Sequence, residues 1–227
     1  MTAIRLPAGV ASNSLAGLMK SPSKPQIVVC ASGEGSNFQA IVEASRRGEL
    51  AADVVGLITN RGKVGVLGRA ELLRVPHKII SLKDFAGREK WDQAMLAQLT
   101  VWKADWVVLA GFLALIGPRV LKKFPEHIVN SHPGLLPKYG GEGMYGDRVH
   151  EAVLKAGEAE TGVSVHLIDE VYDRGQILAQ AKIAVRKGET IDQLAQRVKE
   201  FENQFYPRVL ADLVAGRLTA GRPSGTP

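Results

Sequence analysis

Cysteine is nearly absent from this chain: Cys30 is the only one in 227 residues. One thiol cannot close an internal disulfide, which fits a reducing compartment. Cys30 lies within the apolar run Ile27-Val28-Val29-Cys30-Ala31. Nothing there would lower its pKa, so the reading is core packing and not a catalytic thiol. Long hydrophobic runs are missing too. No stretch approaches the roughly 18 apolar residues of a membrane helix, so a cytoplasmic protein without a membrane partner is expected. The five histidines are scattered and none has zinc-type spacing with acids or Cys, so no metal is expected. Internal repeats are also absent.

Acidic residues are lacking at both ends. Residues 1–24 carry Arg5, Lys20 and Lys24, and residues 217–227 carry Arg217 and Arg222, with no acid in either segment. The net charge of +6 therefore shrinks to +1 over residues 25–216. A nearly neutral body without a basic stripe argues against a nucleic-acid partner. Ser, Ala, Gly and Pro dominate residues 1–24, which read as a disordered extension, and residues 217–227 as a flexible tail. Residues 25–216 form one domain of ordinary globular composition, 45% hydrophobic and 23% charged over the chain.

What is there is a β-α-β-α alternation. Strands are expected at 26–31, 53–59, 77–80, 106–109 and 128–130, with helices at 38–47, 66–73, 84–101 and 118–124 between them. The 84–101 helix follows from Trp91, Met95 and Leu99 recurring every four residues. Alternation at 162–168 and 177–185 adds two strands. Thr190-Ile191-Asp192-Gln193 reads as a capping box opening a long helix whose buried face is Ile191, Leu194, Val198, Phe201 and Phe205. The fold class is α/β: a Rossmann-like, mostly parallel sheet flanked by helices, with an antiparallel C-terminal part. Ligands then belong at the carboxyl ends of the strands.

Two loops at such ends carry chemistry. Ser32-Gly33-Glu34-Gly35-Ser36-Asn37 follows the first strand and opens the first helix, whose free N–H groups suit a phosphate. Phe38 stands where a dinucleotide fingerprint would have its third glycine, and Walker A Gly-Lys-Ser/Thr is missing, so a monophosphate cradle involving Ser36 and Asn37 fits better. The second is Asn130-Ser131-His132-Pro133-Gly134-Leu135-Leu136-Pro137. Residues i and i+2 of a strand point the same way, so Asn130 and His132 can face one reacting centre. A neutral hydrogen-bond donor beside a group titrating near neutrality suits acyl or formyl transfer, where an oxyanion forms and an amine loses a proton. Asp173 in the acidic loop is the candidate to orient His132, with Asp169 and Glu170 as rivals. Lys199 and Glu202, spaced i, i+3 on the last helix, fit either a surface ion pair or a pair of substrate ligands.

Together with Leu109-Ala110-Gly111-Phe112, Gly162-Val163-Ser164-Val165-His166 and Asp173-Arg174-Gly175, these motifs resemble the phosphoribosylglycinamide formyltransferase family in order and spacing, from about Gln26 to Leu218. The resemblance implies a folate-dependent enzyme of purine biosynthesis that moves formyl from N10-formyltetrahydrofolate to glycinamide ribonucleotide. It implies Asn130 at the oxyanion, His132 as acid or electrostatic partner, and Asp173 positioning it and a water. Gly35, Ser36 and Asn37 would hold the phosphate, with Lys199 near it and Glu202 on the ribose or amine. The pterin would lie along Leu109, Phe112, Leu113, Ala114 and Leu115 and the backbone at Asp169 and Glu170, with Arg88 on the cofactor side. A monomer or homodimer is expected. The chain departs from some members at Ala114 and at Glu202-Asn203, and Gly140–Gly146 is a glycine-rich variant of its loop. A deformylase, a formyltransferase with another amine acceptor, and a non-catalytic nucleotide-binding protein are the rival readings.

Overall fold

The computed structural model describes residues 23–171 and 173–218. Seven strands form one sheet in the order β3-β2-β1-β4-β5-β6-β7. They are β1 Gln26–Cys30, β2 Asp53–Thr59, β3 His77–Ile79, β4 Trp106–Leu109, β5 Ile128–His132, β6 Glu160–Leu167 and β7 Ile177–Ala184. β1 to β5 run parallel, whereas β6 pairs antiparallel with both β5 and β7. The helices are α1 Ser36–Arg46, α2 Gly65–Leu72, α3 Arg88–Val101, α4 Pro118–Lys123, α5 Asp147–Lys155 and α6 Ile191–Val214. The expected fold class is the one observed.

Strand alternation divides the apolar residues between two faces. Ile27, Val29 and Val108 pack with Phe38, Ile41, Val66, Tyr206 and Leu210 beneath α1, α2 and α6. Val28, Cys30 and Val107 pack with Trp91, Met95, Leu99 and Val120 beneath α3 and α4. Cys30 is fully buried, and burial pushes its thiol pKa upward, so its role is packing. A third cluster, Val153, Val163, Ile183, Leu194 and Val198, joins α5, α6 and the antiparallel strands.

Two expectations need correction, and one helix was not expected at all. Residues 84–87 are not α-helical: Leu82–Asp84 is a 3-10 turn and α3 starts after Gly87 at φ 105. β5 continues to His132 because its antiparallel ladder with β6 extends to His132–Ser164. α5 had no expectation, since its buried stripe of Val149, His150 and Val153 is short and follows a glycine-rich stretch. The expected extension and tail lie almost wholly outside the described residues. Among the described residues, no helix is long and apolar enough to cross a membrane.

The strand order reverses between β1 and β4, the place where such sheets open a crevice at their carboxyl ends. The loops after β1 and β4 and the end of β5 meet there.

Candidate active site

A cavity of about 810 Å³ opens at this crevice. Its walls are the glycine-rich loop, the 109–116 segment, Asn130–Pro133, the 141–148 loop, and the first turns of α6 with Lys199 and Glu202.

The phosphate-type corner is built by backbone. Gly35 is left-handed at φ 77, and no side chain caps α1. The first intrahelical bond runs from the Gln39 N–H to the Gly35 carbonyl, leaving the N–H groups of Ser36, Asn37 and Phe38 free of helical partners. No acid stands in the first turn, so the positive end of the helix dipole is uncompensated. Arg69 braces the loop by donating to the Glu34 carbonyl at 2.7 Å. Ser32 ties it to its neighbour: its Oγ accepts from the Leu113 N–H at 2.9 Å while its hydroxyl donates to Asn60.

The reacting corner is a chain of polar groups. His132 is 3% exposed, and its Nε2–H donates to the Tyr139 carbonyl at 2.8 Å. In the neutral ring Nδ1 is then bare, and it faces Asp173 Oδ2 at 3.6 Å. That separation suits an ion pair more than a hydrogen bond. His166, fully buried, lies with Nε2 at 3.4 Å from Asp173 Oδ1 and 3.1 Å from Asn130 Nδ2. Its Nδ1–H donates to the Leu167 carbonyl at 2.9 Å, which makes Nε2 of the neutral ring an acceptor for the Asn130 amide. One Asn130 N–H is thereby fixed and the other remains for the cavity. Asp173 is itself left-handed at φ 54 and accepts the Gly141 N–H at 2.9 Å, so the glycine-rich 140–146 loop holds it in place.

Burial pulls the His132 pKa down, and nearby Asp173 and the Tyr139 hydrogen bond only partly oppose it. Burial alone would raise Asp173. The nearby His166 ring, the hydrogen bond from the Gly141 N–H and the adjacent His132 imidazole outweigh it, and its carboxyl is held below the usual range.

The structure brings Asn130, His132 and Asp173 together, and Asp173 is the acid beside His132. Asp169 and Glu170 are exposed and outside the cavity wall, with Asp169 capping its own turn by accepting the Val171 N–H at 2.8 Å. Leu109, Phe112, Leu113, Ala114 and Leu115 form one continuous wall. Arg88 stands behind that wall, donating to the Leu115 carbonyl at 2.6 Å. Lys199 is exposed at the cavity rim. The surface ion-pair reading of Glu202 fails, because Glu202 is 8% exposed. It accepts the Ser131 hydroxyl, and the Asn37 amide lies beside the same carboxyl. Burial raises its pKa against both groups. Of the buried face expected on α6, Leu194 and Val198 are buried, and the stripe continues through Glu202, Tyr206 and Leu210, whereas Ile191, Phe201 and Phe205 are half-buried.

Sequence reasoning missed His166 as a site residue, although its motif was noted. The signal was available: alternation puts Ser164 and His166 on one face of a strand next to β5. Ser131 was missed as well; it points away from Asn130 and His132, toward α6. Among the described residues no cluster of three or more His, Cys, Asp or Glu could hold a metal.

The formyl transferase family model matches residues 25–210. The phosphoribosylglycinamide formyltransferase of Haemophilus influenzae is 33% identical over 193 residues, covering 85% of this chain and 89% of that protein. The trifunctional purine biosynthetic protein adenosine-3 of Drosophila melanogaster is 39% identical over 202 residues, 87% of this chain, which spans only 14% of that protein's length. Among solved structures, glycinamide ribonucleotide transformylase 1 of Symbiobacterium toebii superposes with a TM-score of 0.84 at 30% identity, covering 89% of this chain and 93% of its own. The chain belongs to the formyl transferase family, alongside phosphoribosylglycinamide formyltransferases.

Proposed function

We propose that this chain transfers the formyl group of N10-formyltetrahydrofolate to the amine of glycinamide ribonucleotide in purine biosynthesis. The observation that carries the reading is the meeting, in one cavity, of an uncapped helix N-terminus and the Asn130–His132–Asp173 cluster. The nucleotide phosphate docks on the N–H groups of Gly35, Ser36 and Asn37 with Lys199 at the rim. The folate ring lies along the Leu109–Leu115 wall, which Arg88 holds from behind. Asp169 and Glu170 contribute through the shape of the loop that presents Asp173.

The amine nitrogen attacks the formyl carbon, and the carbonyl oxygen becomes an oxyanion. The free Asn130 N–H stabilises it, in a geometry set beforehand by His166. His132, once protonated, satisfies the Tyr139 carbonyl and Asp173 together and adds positive charge beside the oxyanion. The attacking nitrogen loses a proton to a water held by Asp173. N10 accepts a proton as its bond to carbon breaks, releasing tetrahydrofolate. Glu202, kept toward its neutral form by burial, is placed to hydrogen-bond the ribose or the amine. The reduced thiol of Cys30 fits a reducing compartment.

The test is spectrophotometric release of deformylated folate from a 10-formyl analogue, with and without glycinamide ribonucleotide. The expected result is release that requires the nucleotide and is lost in His132→Ala. Release without nucleotide would identify a deformylase. No release from folded protein would refute the assignment.

A further inference from the structure

His150 was not singled out in the sequence and has no part in the chemistry above. It lies one turn into α5 and is 4% exposed. Its Nδ1 is sealed from solvent with no hydrogen-bond partner among the described residues. A buried polar atom left unpaired is unfavourable, so the ring is expected to turn toward a ligand in the cavity that offers it a partner. The ring borders the same cavity as Asn130, His132 and Lys199.

Its position within the cavity narrows the ligand. α5 packs on α6, with Val153 of α5 clustered with Leu194 and Val198. The α6 residues that reach the cavity are Asp192, Ala195, Gln196, Lys199 and Glu202. His150 therefore stands on the α5–α6 side of the cavity, near enough to His132 for the two rings to interact electrostatically. Asp147 occupies the first turn of α5 and opposes a second anion there. Burial favours the neutral ring, which carries one donor and one acceptor. A hydroxyl also offers both.

We infer that His150 recognises a ribose hydroxyl of the phosphoribosyl substrate, acting as a specificity residue between the phosphate corner and the reacting cluster. The inference rests on the nucleotide reading of the cavity. It requires the pentose to sit against α5, with the phosphate on α1 and the amine at Asn130.

The experiment uses the full chain, with ribose 5-phosphate and its 2-deoxy and 3-deoxy counterparts as competitive inhibitors against glycinamide ribonucleotide. Wild type should prefer ribose 5-phosphate over at least one deoxy sugar by about tenfold, the value of one good hydrogen bond. His150→Phe, which keeps a ring without nitrogens, should lose that preference. It should also raise the KM for the nucleotide about tenfold and leave the KM for formyl-folate unchanged. His150→Asn, which restores a donor and an acceptor, should recover part of it and covers the case in which the Phe variant misfolds. Unchanged inhibitor ratios in both folded variants would overturn the assignment. Wild type that neither turns over the nucleotide nor binds ribose 5-phosphate would instead overturn the nucleotide reading beneath it.

Discussion

Gly33 and Gly35 belong to one motif and look interchangeable in the sequence, yet replacing each by alanine should have very different results. A Cβ on Gly35 would sit 2.4 Å from Val66 Cγ2 and 2.9 Å from the Val66 Cα, at a backbone φ of +77°. The left-handed conformation costs an L-residue roughly 1–2 kcal/mol. Overlap with a packed core side chain adds about 1–3 kcal/mol, because Val66 is fully buried and cannot swing away. The sum is about 2–5 kcal/mol. A Cβ on Gly33 meets nothing within 4 Å, so Gly33→Ala should change stability by no more than about 1 kcal/mol in either direction. Urea denaturation checks this. With a slope of about 2 kcal/mol/M, the Gly35→Ala midpoint should fall by roughly 1–2.5 M while Gly33→Ala stays close to wild type. The nucleotide KM should also rise in Gly35→Ala, since α1 must shift to relieve the overlap. Equal midpoints for the two variants would refute the close approach of α2 to this loop.

Asn130→Ala should lower kcat about 10²–10³-fold with little change in either KM, as for loss of one oxyanion donor; a change confined to KM would remove Asn130 from that role. Asp173 has a folded pKa below its ordinary 3.8, so its charge contributes stability above that value that is lost as pH falls through the depressed one. Asp173→Asn should therefore melt below wild type at pH 7, with the gap closing under pH 3.8, and a constant gap down to pH 3 would contradict this. Glu202 is displaced the other way, so its native environment costs stability as pH rises above 4.5. Glu202→Gln should gain stability relative to wild type between pH 4 and pH 8 in paired urea titrations, while nucleotide KM rises; a pH-independent difference would show that the carboxyl is not held toward its neutral form.

The repeating β-α order, the sheet flanked by helices, the glycine-rich turn opening α1 and the Asn130–His132 pair were legible because each depends on neighbours close in sequence. Chain direction and strand periodicity alone place both loops at carboxyl ends, where α/β sheets bind ligands. The fate of Asp169, Glu170 and Asp173 was not legible, since any of three nearby acids satisfies the local pattern. The contacts of the Asp173 carboxylate with His132, His166 and the 140–146 loop decide among them. Glu202 likewise stays open between a surface ion pair and a substrate ligand until β5 supplies Ser131 from 71 positions away. His166 acquires its role only when β6 pairs antiparallel with β5 and sets it opposite Asn130. Local sequence thus determined most of the elements, though not α5, and where a site must open. Long-range packing decided which polar groups were buried together, because desolvation and hydrogen-bond partnership are properties of the assembled interior and not of any one segment.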